Sequence, residues 1–239
     1  MATAAALSTS PRFELKPLKP MGLLQSILLF GVPAIALAAS LVWLWPALMD
    51  AGIERPTAYT ISLGLVNTGL ISAAVAGYLL EWNPFTWAAF SRRMRLTSMS
   101  GRVWLWALGG TLVLGIGSLL INSVAVMVYK ALNYTMPDIT PGATTIWMNL
   151  AILLLNIVGE ELWWRGYILP RQELAFGKSA CLIHGTLWAC FHIFKWWSVP
   201  FMLITCQVIP FVAQGTKNSW PGMISHLVVN GAGVILSSL

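Results

Sequence analysis

Long apolar stretches, separated by short polar or basic connectors, fill the chain from residue 21 onward, and this pattern constrains the fold more than any other feature. They run from about Leu23 to Leu48, Thr57 to Leu80, Val103 to Val128, Thr145 to Trp164, Ser179 to Phe194, Val199 to Gly215 and Pro221 to Leu239. A helix of about 20 residues crosses a hydrocarbon core about 30 Å thick. The expected fold is therefore all-α: a polytopic membrane helix bundle of about seven transmembrane helices. Composition agrees, with 57% hydrophobic residues, 9% charged residues and a mean hydropathy of +0.74. An ordinary soluble domain carries about 25% charged residues. These values exclude a soluble globular protein, a disordered chain and a nucleic-acid binder. Residues 1–20, rich in Ala, Ser and Pro, read as a mobile cytoplasmic tail; residues 21–239 read as a single helical membrane domain. Ala36-Leu37-Ala38 resembles a signal-peptide cleavage site, but the apolar run continues to Trp45, which suits an uncleaved anchor. Pro210 predicts a kink in the sixth segment.

Charge sets the expected orientation. With the N-terminus inside, Arg12, Lys16, Lys19, Arg92, Arg93, Arg95, Arg102, Arg171, Lys178 and Lys217 all fall on the cytoplasmic side. Only Arg55, Lys130 and Lys195 fall outside. Cytoplasmic loops carry the excess of Lys and Arg, so an N-in multi-pass protein is expected, in the plasma membrane if the source is prokaryotic. The formal net charge of +6 then reflects cytoplasmic loops and contact with anionic lipid, not nucleic acid.

Ionisable side chains inside apolar segments concentrate in the second half of the chain. Glu160, Glu161 and Arg165 lie together in GEELWWRGYILP, and all three histidines, His184, His192 and His226, follow. Each such charge costs at least about 2.5–3.5 kcal/mol at the bilayer centre, so these groups are functional candidates by default. Successive helical residues point about 100° apart, so Glu160 and Glu161 do not face one point. Glu161 and Arg165, four apart, can pair on one face, which leaves Glu160 for the bundle interior. Asn156 lies one turn before Glu160 and can orient its carboxylate. His226 and Asn230 share a face of the seventh segment, and Trp188 and His192 share a face of the fifth. Helical rise puts these groups at compatible depths, consistent with one buried site open to the cytoplasmic side.

A carboxylate beside an imidazole can take a proton from water, and a second imidazole and an amide can stabilise an oxyanion. These are the parts of an amide hydrolase without a covalent nucleophile. The sequence has neither a GxSxG elbow nor an HExxH pair. Cys181, Cys190 and Cys206 lack paired spacing and read as buried free thiols.

The motifs resemble those of the CAAX-protease and bacteriocin-processing family of intramembrane proteases, which includes the Ras-converting CAAX endopeptidase. Its pattern is EExxxR, FxxxH and HxxxN on successive membrane helices. Glu160-Glu161-Leu162-Trp163-Trp164-Arg165 matches the first, and His226-Leu227-Val228-Val229-Asn230 the third. Trp188-Ala189-Cys190-Phe191-His192 matches the second with Trp in place of Phe, a change that bears on substrate fit. The resemblance covers residues 149–239. It implies that Glu160 and His192 activate water, that His226 and Asn230 form the oxyanion hole, and that Glu161, Arg165 and Asn156 support the site. His184 matches no motif position and reads as a packed histidine.

The function this implies is that of an endopeptidase acting on membrane-associated peptides or protein tails within the lipid bilayer, with no cofactor and no metal. Two alternatives stand beside it. One is a non-proteolytic membrane protein, whether a scaffold, a bacteriocin-immunity factor or a small transporter. The other is a zinc-dependent protease using Glu160, His192 and His226, although their spacing fits no standard zinc signature.

Overall fold

The computed structural model describes residues 14–142 and 144–237, and every regular element among them is helical. The first, α1 (Leu23–Asp50), is interrupted by a π-helical stretch at Ser40–Leu44. Pro46 follows directly. Proline lacks an N–H and its ring crowds the carbonyl four residues back, so a widened turn before it relieves both problems. The Ser40 hydroxyl uses this local opening to donate to the Ser62 carbonyl at 2.7 Å on the next helix.

That helix is α2 (Arg55–Leu80). A short α3 (Trp87–Arg93), capped by the Thr86 hydroxyl on the Ala89 N–H, precedes the long α4 (Gly101–Ala131), capped by Ser100 on Val103. Next comes α5 (Ile146–Glu160), capped by Thr145 on Met148. It runs into a second π-helical segment, Glu161–Ile168, and on into α6 (Leu169–Phe176). Pro170 stands just past this π segment as Pro46 stands past the first. Gly177, at φ +56°, turns the chain into α7 (Ala180–Phe191). The remaining helices are α8 (Val199–Thr205), α9 (Val208–Thr216) and α10 (Trp220–Ser237). The break between α8 and α9 falls at Cys206–Gln207, where the Pro210 ring meets the carbonyl four residues back, as its position predicts.

Among the described residues, five helical runs are long and apolar enough to cross a membrane: Leu23–Asp50, Arg55–Leu80, Gly101–Ala131, Ile146–Phe191 and Ile193–Thr216. The expected fourth and fifth segments are thus joined through α6 in one helical run. The outward side chains of α1 and α4 are apolar; Ile35 is 69% exposed and Leu119 is 69% exposed. Such a band would be untenable in water and suits lipid. Inside, Phe30 stacks on fully buried Trp164 with ring centroids 4.1 Å apart.

Helix α2 approaches α5 closely. A Cβ on Gly159 would lie 2.7 Å from the Asn67 carbonyl oxygen, so only glycine permits this approach.

One end of the bundle is a basic platform. Arg95 forms a two-pronged bond with Glu173 at 2.7 and 2.8 Å, and Lys217 reaches the same carboxylate at 2.5 Å. Arg93 and Arg171 both pair with Glu81. Of the expected mobile tail, residues 1–13 lie outside the described residues. From Glu14 to α1 the chain has no regular structure and is tied to this platform, with the Lys16 N–H on Asn83 at 3.1 Å and the Met21 N–H on the Arg171 carbonyl at 3.0 Å. The opposite end holds the α4–α5 connection, where Arg55 donates to Asp138 at 2.9 Å and to the Thr140 carbonyl.

Candidate active site

Both glutamates of the pair are buried, yet their surroundings differ completely. Glu160, the last residue of α5, is 2% exposed and accepts two short hydrogen bonds. Asn156 Nδ2 donates to Oε1 at 2.6 Å, one turn back as expected. Trp188 Nε1 donates to Oε2 at 2.6 Å from α7. Each carboxylate oxygen keeps a second lone pair, so neither bond prevents proton acceptance.

Glu161 opens the π segment and turns away from Glu160. Its Oε1 lies 3.1 Å from Arg165 NH1, the pairing that the four-residue spacing predicts, and both side chains are fully buried. The same oxygen lies 3.1 Å from His226 Nδ1 on α10. Gly222, one turn earlier on α10, makes room for this carboxylate: a Cβ there would meet Glu161 Oε2 at 2.6 Å. The Arg165 guanidinium also stacks on the Trp188 ring, 3.8 Å from its centroid. Trp188 therefore touches both halves of the site, bonding Glu160 with its N–H and covering Arg165 with its face.

His192 caps the C-terminus of α7, and its Nδ1 lies 2.9 Å from the Trp188 carbonyl. A carbonyl only accepts, so Nδ1 carries the proton and Nε2 is left as the basic nitrogen. Asn230 makes no side-chain hydrogen bond among the described residues and is exposed to the cavity it lines.

Glu160, His192, His226 and Asn230 line one cavity of about 680 Å³, together with Asn156. Three elements of its wall were not legible in the motifs. Asn67 on α2 takes a 3.4 Å bond from Asn156 and donates to the Leu63 carbonyl at 3.0 Å, extending the line from Trp188 through Glu160. Its only sequence signal was an amide in an otherwise apolar segment. Lys195, read as an outside loop residue, lies on the cavity wall at a sharp break (φ −116°, ψ 54°) in the turn after His192. Asn122 on α4 also lines the cavity.

The cavity extends toward one end of the bundle. Its wall includes the first half of α2, the last part of α4, the first half of α5 and the turn around Lys195. Pro141 of the α4–α5 connection stands at its rim. All of these lie toward the end opposite the basic platform, and Glu160 and His226 form the floor.

His184 stays outside this site. It is fully buried, its Nδ1 lies 2.6 Å from Gln172 Oε1, and its ring meets Phe30 edge to face at 5.1 Å. Cys181 and Cys206 are buried, whereas Cys190, expected to be buried, is exposed on α7. Among the described residues, no three His, Cys, Asp or Glu side chains converge closely enough to hold a metal ion. The zinc alternative thus lacks its ligand set as the side chains stand.

Residues 142–232, which hold every motif of the site, match the family model described as Type II CAAX prenyl endopeptidase Rce1-like. Comparison with curated proteins finds no match, nor does comparison with solved structures. The family is one of proteases. Over residues 142–232, this helical membrane protein is similar to the CAAX-protease family.

Proposed function

We propose that the protein is an intramembrane endopeptidase that hydrolyses peptide bonds of membrane-associated substrates with water activated by Glu160 and His192. The observation that carries this reading is the division of labour between adjacent glutamates. Glu161 is committed to Arg165 and His226. Glu160 is held by two neutral donors on the floor of a cavity, with proton-accepting capacity to spare.

In the proposed reaction, a water on the cavity floor attacks the peptide carbonyl as Glu160 takes its proton, with His192 Nε2 as the second base. The new C–O bond gives a tetrahedral oxyanion. Asn230 and His226 form the oxyanion hole that stabilises it, with His226 Nδ1 held at Glu161 Oε1. The C–N bond then breaks, and the proton held by Glu160 passes to the leaving nitrogen, so no covalent enzyme intermediate forms. A cavity of about 680 Å³ accommodates several residues of an extended substrate.

Peptidomics of membranes carrying the wild type against Glu160→Ala is the deciding experiment. Peptides generated only by the wild type support the reading and identify the substrate; identical peptide sets refute it.

A further inference from the structure

The basic platform and the cavity mouth lie at opposite ends of the bundle. At the platform, Arg95 and Lys217 bind Glu173 from different parts of the chain, and Arg93 and Arg171 bind Glu81. The Ser219 N–H on the Arg95 carbonyl at 2.9 Å and the Met21 N–H on the Arg171 carbonyl at 3.0 Å place the starts of α10 and α1 at this same end. Nine of the described lysines and arginines in connecting or end segments gather here: residues 16, 19, 92, 93, 95, 102, 171, 178 and 217. At the other end stand Arg55, Lys130 and Lys195, beside three acids, Asp50, Glu54 and Asp138. The positive-inside rule counts Lys and Arg near helix ends, and by that count the platform is cytoplasmic.

The cavity runs the other way. Glu160 lies about 21 Å along α5 from Ile146, whereas His226 lies only about 9 Å along α10 from Trp220. The site floor is thus nearer the basic end, and the open wall of Asn149, Ser198 and Pro141 extends to the far end. Polar side chains line this route, including Asn122, Asn149 and Lys195. The cavity thus runs from its floor toward the far end, while Glu161, Arg165 and Trp164 are fully buried on the platform side.

We infer that the site is served from the non-cytoplasmic face, and that its substrates are polypeptide segments presented there: the exposed end or outer-leaflet portion of a membrane-bound or translocated chain. This rests on the protease reading for what happens to the substrate, but the sidedness stands on charge and cavity geometry alone.

The test uses the full chain with its native cysteines, the unaltered protein serving as background. Ser198→Cys places a thiol on the cavity wall, and Ser98→Cys places one on the exposed basic end. A membrane-impermeant maleimide is applied to sealed right-side-out and inside-out vesicles. Expected is labelling of Ser198→Cys only in right-side-out vesicles and of Ser98→Cys only in inside-out ones. The reverse pattern overturns the inference. So does a Ser198→Cys thiol that reacts in neither preparation while Ser98→Cys reacts, because the cavity then has no aqueous mouth at that end. Labelling requires no cleavage, so an inactive protein would refute the protease reading without altering this result.

Discussion

The indole N–H of Trp188 donates to the Glu160 carboxylate at 2.6 Å while the same ring lies 3.8 Å over the Arg165 guanidinium. Trp188→Phe keeps an aromatic face for Arg165 and removes only the donor. A hydrogen bond to a charged group is worth about 1.5–3 kcal/mol, so a loss of about 10- to 100-fold in kcat is expected, with KM less affected. A variant with unchanged kcat would show that the indole does not position Glu160.

Glu160→Ala and His192→Ala are expected to abolish cleavage while leaving a folded protein, since neither residue belongs to the buried ion pair. Asn230→Ala removes one oxyanion donor, and such losses cost about 10²- to 10³-fold in rate. Cleavage assays normalised to the folded fraction from size-exclusion profiles distinguish these grades. Full activity in Glu160→Ala would remove it from the role of base.

Glu161→Ala leaves Arg165 buried without its partner and unties His226 from α5. Breaking one side of a buried pair costs about 3–5 kcal/mol, so folded yield should fall sharply along with activity. His184→Ala provides the contrast. It strands Gln172 Oε1 and costs about 1–3 kcal/mol of stability, yet activity per folded molecule should match the wild type. Denaturation midpoints read beside specific activity separate the two.

Gly159→Ala drives a methyl group against the Asn67 carbonyl, which the backbone holds in place. Overpacking of this kind costs about 1–3 kcal/mol, and it pushes α5 from α2 where Asn67 meets Asn156. A lower thermal midpoint and lower activity should appear together. A Gly159→Ala protein as stable as the wild type would mean that this contact is not tight.

Asp138 fastens the rim of the cavity. Its carboxyl is held below its usual range by the Thr140 hydroxyl and N–H, with help from Arg55. A depressed folded-state value means that the fastening is present above the ordinary carboxyl range and is lost as pH falls through the lower folded value. Hydrogen exchange at the Thr140 amide, corrected for its intrinsic pH dependence, should therefore accelerate in acid. Asp138→Ala should exchange fast at neutral pH and show no such transition.

Much of this protein is legible in one dimension. Apolar runs of about 20 residues announce membrane helices because hydrocarbon leaves the backbone no partner but itself. Spacing of four paired Glu161 with Arg165 and placed Asn156 under Glu160, because those contacts are made within one helix and need nothing else. The contacts between helices were decided only by tertiary structure. Nothing local tells that the Trp188 indole reaches Glu160, that His226 lies against Glu161, or that Asn67 joins the line from α2. The direction of the cavity belongs to the same class. Depth along each helix was computable from the sequence, but which end stays open depends on where side chains from seven different helices leave a gap, and helical periodicity carries no record of that.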